Sequence, residues 1–181
     1  MKREVGSVQT AGAMEARELA APTAAAMKEM GRALGRAMVV GDAVGLIGGL
    51  GAGKTTLAQG IAAGLEVLAD RHVASPTFAL VNEHPGRVPF VHADFYRLRD
   101  ASELAELGMD EIFDRAAVVI EWVDLFPEAV PADHLEITIQ FAPGGTGDGE
   151  AMRSLRVLPN GPRSARLAEA MGAGSGRADG G

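Results

Sequence analysis

The amino-acid sequence predicts an α/β fold with a mainly parallel central sheet, flanked by helices, and antiparallel additions near the C-terminus. Three observations predict it. Ala43-Val-Gly-Leu-Ile47 and Ala117-Val-Val-Ile120 are short apolar runs without a polar face, as strands covered on both sides of a parallel sheet require. Helical spacing stands on either side of the first run, over Ala24–Met38 and Lys54–Leu65. Farther on, Leu135, Ile137, Ile139 and Phe141 alternate with polar residues, the pattern of a strand with one wet face.

The elements follow in order. Residues 1–13 are small and polar and read as a loose lead-in, 14–171 as a single domain, and the Gly/Ala/Ser-rich residues 172–181 as a disordered tail. Glu15–Leu19 is a predicted short edge strand. Pro22-Thr23 reads as a helix start, and Met27, Met30, Leu34 and Met38 recur on one face of the helix that follows, a packing face. Gly41-Asp42 is a turn before the first buried strand. Phe78–Val81 and Val88–His92 read as strands joined by the turn His84-Pro85-Gly86-Arg87. Asp100-Ala-Ser-Glu103 has the spacing of a capping box, which places a helix over 101–107. Pro143–Gly149 is a glycine-rich turn, Leu155–Leu158 a strand and Ser164–Met171 a short helix.

Composition narrows the chemistry. The 181 residues suffice for one ordinary domain, and 47% hydrophobic with 23% charged residues is the balance of a globular protein with a core. The absence of cysteine removes disulfides, cysteine nucleophiles and thiolate metal sites, and it fits a reducing compartment. A formal charge of −7, with basic residues scattered along the chain, argues against a strong direct grip on nucleic acid phosphates. No apolar stretch follows the charged N-terminus, and no uncharged run reaches the roughly 20 residues of a membrane-spanning helix. The expectation is a cytoplasmic protein with no membrane partner.

The chemistry-bearing motif is Gly48-Gly-Leu-Gly-Ala-Gly-Lys54-Thr55, which matches the Walker A pattern GxxxxGK[ST] between a predicted strand and a predicted helix. The predicted fold is therefore that of a P-loop NTPase. Glycines let the backbone turn sharply and come close to phosphates. The N–H groups they present, at a helix N-terminus, make an anion site. Lys54 supplies a point charge to the β- and γ-phosphates, and the Thr55 hydroxyl is a candidate Mg²⁺ ligand. Gly49, Leu50, Gly51, Ala52, Gly53 and Thr56 are the further candidate nucleotide-binding residues of this stretch.

Three more segments bear on the reaction. Ser75-Pro-Thr77-Phe78 stands where a γ-phosphate-sensing switch would lie, although Ser-Pro-Thr is also a common turn. Asp94, after an apolar strand, falls at the carboxyl edge of the sheet, where nucleotide sites form. It is a candidate metal or water partner; the alternative is a helix-capping or ion-paired Asp. Glu121 ends the apolar strand at 117–120, a position poor for packing and suited to Mg²⁺.

Four blocks together resemble the TsaE (YjeE) family, whose members belong to the bacterial machinery that makes threonylcarbamoyladenosine in tRNA. They are the P-loop Gly48–Thr56, the switch Ser75–Val81, the block His92-Ala-Asp94-Phe-Tyr96-Arg97-Leu98, and Val119–Trp122, in that order. The resemblance covers about residues 15–160. It implies an ATPase of low intrinsic activity, activated by partner subunits like TsaD and TsaB, with ATP and Mg²⁺ as cofactors and tRNA engaged indirectly through the complex. By position it implies that Lys54 contacts phosphate, that Thr55 and Glu121 hold Mg²⁺, and that Asp94 is required for hydrolysis. It also places Ser75 and Thr77 on the switch and Trp122 beside the nucleotide, and matches a late arginine to Arg153. The chain departs from the family at Gly49, where an acidic residue is usual, and at Ala24 and Met27, where Glu and Thr are usual.

The alternative reading is a small P-loop kinase acting on a small-molecule or nucleoside acceptor; for an Arg-rich lid it offers only Arg97 and Arg99. A GTPase would carry an Asn-Lys-x-Asp block, but Asn82 and Asn160 are followed by Glu and Gly. No His-Glu-x-x-His pair or Gly-x-Ser-x-Gly elbow occurs.

Overall fold

The computed structural model describes residues 14–68, 80–142 and 151–173. One seven-stranded sheet runs through the chain in the order β1-β7-β6-β2-β5-β4-β3. Its strands are β1 (Arg17–Ala21), β2 (Ala43–Ile47), β3 (Val81–His84), β4 (Phe90–Asp94), β5 (Ala117–Glu121), β6 (Leu135–Phe141) and β7 (Arg153–Pro159). The helices are α1 (Ala24–Ala37), α2 (Lys54–Gly64), α3 (Ala101–Glu106), α4 (Met109–Arg115) and α5 (Pro162–Ala173). The central strands β6, β2, β5 and β4 are parallel. Antiparallel additions lie beside β6, through β7 and β1, and also at the opposite edge, where β3 pairs with β4. The fold class expected from the sequence is therefore present, with its antiparallel additions on both edges rather than only near the C-terminus.

Alternation along the strands sorts the core into two layers. Met27, Met30 and Leu34 of α1, Leu57 and Ile61 of α2, and Leu167 and Met171 of α5 pack with Val44, Leu46, Phe90 and Val119 on one face. Phe95, Met109, Ile112 and Phe113 pack with Val91, Ala93, Val118 and Ile120 on the other. The methionine stripe of α1 is thus core, as its spacing predicts. Thr23 caps that helix, its hydroxyl accepting from Ala26 N at 3.0 Å.

Several boundaries differ from the sequence reading for physical reasons. β1 starts at Arg17 rather than Glu15, because its register is set by β7, from Arg17 opposite Val157 to Ala21 opposite Arg153. The β3–β4 hairpin keeps pairing through His84 opposite Phe90, so the connection is Pro85–Pro89 rather than His84–Arg87. That connection is pulled onto distant helix ends. Arg87 N donates to Leu65 O at 2.6 Å, and its guanidinium donates to Gly35 O, Arg36 O and Met38 O, the last carbonyls of α1. Asp100 caps α3 as expected, but the return contact of the capping box falls one residue early, from Arg99 N to Glu103. The sequence reading has no helix at α4; its signal was Gly108 in the left-handed region, two acids in the first turn, and Met109, Ile112 and Phe113 on one face. Pro143–Gly149 lies outside the described residues. Among those described, no helix is long and apolar enough to cross a membrane.

α1 lies against α2 at glycines spaced four apart on both helices, Gly31 and Gly35 facing Gly60 and Gly64. A β-carbon on Gly31 would stand 2.5 Å from Leu57 O, and one on Gly60 would stand 2.3 Å from Lys28 O. Only hydrogen side chains admit so close a backbone approach. Gly60→Ala and Gly31→Ala are therefore each expected to destabilise the fold by about 1–3 kcal/mol through forced separation of the helices. Gly172→Ala, with nothing within 4 Å of the new carbon, should change stability little. Urea denaturation of the three variants checks the contrast, and an unshifted midpoint for Gly60→Ala refutes the close-contact reading.

Candidate functional site

The turn Gly48–Gly53 carries the chain from the tip of β2 into α2. Gly48, Gly51 and Gly53 take φ of 152°, 72° and 114°, a region open at little cost only to glycine. Among the described residues, no atom beyond the glycine and its chain neighbours lies within 4 Å of where a β-carbon would sit on Gly49 or Gly51, so the loop backbone borders space that a bound group can enter. On this face the turn opens a cleft of about 380 Å³ lined by Leu50, Gly51, Ala52, Gly53, Lys54, Thr55, Thr56, Asp94, Tyr96, Arg97, Glu121 and Trp122.

Parallel pairing supplies the acids. Asp94 and Glu121 are register partners at the C-terminal tips of β4 and β5, on the face that α2 covers. Thr55, on the first turn of α2, donates its hydroxyl to Glu121 Oε1 at 2.9 Å and lies 3.1 Å from Oε2. His92 Nε2 lies 2.9 Å from the same Oε1, inside the core. Asp94 accepts from Tyr96 N at 2.9 Å, which holds the carboxylate at the strand end. The two carboxylates and the hydroxyl are hard oxygen donors. Among the described residues there is no cluster of three or more His, Cys, Asp or Glu side chains able to hold a metal. Two protein oxygens beside an anion cradle fit Mg²⁺, which keeps waters and phosphate oxygens in its shell and is seldom caged by protein alone.

Lys54 is 5% exposed. Its ammonium donates to Gly48 O at 2.6 Å and to Gly49 O at 3.0 Å, and it stands 3.7 Å from the centroid of the Trp122 ring. Burial pushes its pKa down, against the upward pull of Glu121, Asp94 and Asp124. Trp122 itself adopts φ 60°, a strained conformation for an aromatic residue, and its indole stacks on Tyr96 with centroids 4.8 Å apart.

Arg153 reaches the P-loop from its other side. Its Nε donates to Ala52 O at 2.9 Å and its terminal nitrogen to Gly51 O at 3.3 Å, while the guanidinium covers the Phe141 ring. A second hollow of about 210 Å³ opens there, lined by Thr23, Ala24, Met27, Gly51, Ala52, Gly53, Thr56, Ala151 and Arg153.

The structure thus brings together Leu50, Gly51, Ala52, Gly53, Lys54, Thr55, Thr56, Asp94, Glu121 and Trp122. Gly49 sits behind them, in a hollow with Ile47, Gly48, Trp122 and Phe141. Arg153 joins the loop from behind, and Thr77, with Ser75, lies outside the described residues. The sequence reading gave no role to His92 or Tyr96, and to Met27 only a packing role. For His92 the available signal was a histidine alternating with Phe90 and Asp94 on one face of a buried strand.

Comparison with known proteins agrees with this arrangement. The family model for the threonylcarbamoyl adenosine biosynthesis protein TsaE matches residues 21–146. A tRNA threonylcarbamoyladenosine biosynthesis protein TsaE of Streptomyces coelicolor is 40% identical over 126 residues, 67% of this chain and 84% of the relative. The Bacillus subtilis protein of that description is 41% identical over 122 residues, 66% and 72% of the two chains. The one from Treponema pallidum is 32% identical over 139 residues, 76% and 90% of the two. The crystal structure of YdiB from Bacillus subtilis superposes with a TM-score of 0.70 at 26% identity, over 90% of this chain and 98% of that one.

Glu121 accepts from two donors in a site where it is 2% exposed. Glu121→Ala is expected to strand both donors and lower stability by roughly 2–4 kcal/mol. Calorimetric unfolding checks this; a loss below about 1 kcal/mol shows that water satisfies both groups.

Proposed function

The chain belongs to the TsaE family, and we propose that it binds and hydrolyses ATP with Mg²⁺ to drive turnover of a tRNA threonylcarbamoyladenosine-forming complex. The observation that carries this is the hydrogen bond from Thr55 to Glu121, which joins the head of the P-loop helix to the tip of β5 beside Lys54 and Asp94.

In this reading the phosphates lie along Gly49–Thr56, against the loop N–H groups and the N-terminus of α2. Lys54 exchanges its two carbonyl partners for phosphate oxygens, a charge-assisted pairing that offsets the loss. Thr55 and Glu121 hold the metal. When bound, Mg²⁺ neutralises charge on the triphosphate. Asp94, fixed through Tyr96 N, orients the attacking water; Trp122 walls the phosphate site beneath Lys54. The nucleoside side of the ligand occupies the second hollow, where Thr23 and Arg153 stand in for the contacts that Glu and Thr would offer at positions 24 and 27. Thr77 belongs to the γ-phosphate switch.

Subunits like TsaD and TsaB are the expected partners, and they rather than this acidic chain would carry the tRNA in the cytoplasm. A kinase lid is disfavoured because Arg99 is tied to Glu103, and among the described residues Arg97 is the one arginine that lines the cleft.

Calorimetry and phosphate release test the proposal together. Lys54→Ala should abolish MgATP binding. Asp94→Ala should bind MgATP near wild-type affinity and lose turnover by about 10²-fold or more. Partner subunits should raise wild-type turnover; release indifferent to them counts against the reading, and phosphate passing to a small acceptor supports the kinase instead.

A further inference from the structure

His92 is fully buried on β4, between the apolar Val91 and Ala93 and two residues from Phe90 and Asp94 on its own face. Its ring stacks on Phe90, with centroids 6.2 Å apart and planes 20° apart, so a phenylalanine or leucine could fill the same place in the core. A histidine there carries a cost. An ionised Glu121 offers only acceptors, so the proton of the His92 ring lies on Nε2 and is donated to Oε1. Nδ1 is then left buried with no hydrogen-bond partner among the described residues. A buried polar atom without a partner is disfavoured, and its retention calls for a compensating role.

The geometry gives that role. Glu121 Oε1 is shared by His92 Nε2 and Thr55 Oγ1, each at 2.9 Å, which forms one chain from β4 through β5 to the first turn of α2. We propose that His92 is a positioning residue for the metal side of the nucleotide site. By fixing Glu121 from inside the core, it aims the carboxylate at Thr55 and keeps the threonine lone pairs turned toward the cation position. His92 lines neither the cleft nor the second hollow, so it acts only through Glu121. This inference rests on the ATP–Mg²⁺ reading above. It follows the general behaviour of outer partners of metal ligands, whose loss weakens metal affinity about 10- to 100-fold.

The test is calorimetric binding of a non-hydrolysable ATP analogue to the full chain, in EDTA and across a Mg²⁺ series. His92→Phe keeps the ring against Phe90 and removes the donor. It is expected to bind the analogue in EDTA as the wild type does, while its half-saturating Mg²⁺ concentration rises about 10-fold or more. His92→Gln, whose amide nitrogen reaches the place of Nε2, should return Mg²⁺ dependence to within about threefold of wild type. If His92→Phe does not fold, His92→Asn, with an amide too short to reach Glu121, makes the same comparison against His92→Gln. Wild-type Mg²⁺ dependence in the donor-less variant overturns the proposal, as does an equal loss of affinity with and without Mg²⁺, which marks a packing role. A wild-type chain that binds the analogue in neither condition removes the nucleotide reading itself, an outcome distinct from both.

Discussion

The hydrogen bond between Thr55 and Glu121 joins residues 66 positions apart, and it exists only because β2 and β5 run parallel and adjacent. That adjacency sets the tip of one strand beside the turn that leaves the other. β4, parallel on the far side of β5, then adds Asp94 in register with Glu121. A Gly-rich turn alone makes an anion cradle; the strand order converts it into a cradle with two acids on one flank. Either acid on an antiparallel neighbour would point its strand tip to the opposite edge of the sheet.

The helix contact on the covering face extends the same constraint. α2 begins at the glycine turn, and its glycines lie against those of α1, so the two backbones approach closely at Gly31 and Gly35. The N-terminal end of α1 is thereby held beside the loop: Met27 lies 3.3 Å from where a Gly53 β-carbon would sit, and Thr23 lines the second hollow. Arg153 braces the other side through carbonyls of Gly51 and Ala52. The cradle is thus gripped from β2, α1 and β7, three elements far apart in the chain. Such bracing keeps the loop amides preorganised, which matters because a site that must order itself on binding loses affinity to the ordering.

Much of this was legible in the sequence. The Walker A spacing, the two apolar strands and the acid closing the second of them identify the cradle and one flank without any coordinates, because each is a local pattern tied to a local geometry. The α1 stripe is legible for the same reason. What was not legible is long-range. The hairpin boundaries depend on Arg87 finding the carbonyls of α1, and β1 takes its register from β7, whose sequence says nothing of that pairing. Helix α4 was missed because its seven residues, about two turns, carry too few apolar positions to stand out from Leu107–Phe113. His92 was hidden inside a motif, where the neighbouring Asp94 and Tyr96 drew the chemical reading; only the fold shows that its ring faces Glu121 rather than the solvent. The glycine pairs of α1 and α2 were visible as spacing but unreadable as contact until the helices were placed side by side.

Charge in the cleft explains why the proposed chemistry couples nucleotide to metal. Among the described residues, Lys54 and Arg97 line it with two positive charges, Asp94 and Glu121 with two negative. A triphosphate entering alone would set its own charge against both carboxylates, and attraction from the loop amides and helix terminus amounts to only about half an elementary charge. Burial weighs against the Lys54 ammonium, while Glu121, Asp94 and Asp124 favour it. A divalent cation placed beside Thr55 and Glu121 changes the balance, because the acids then face a positive centre rather than the phosphates. The two carboxylates that would repel the free nucleotide become the groups that favour its metal complex. In the proposed function, the strand tips thereby favour the metal complex over the free nucleotide.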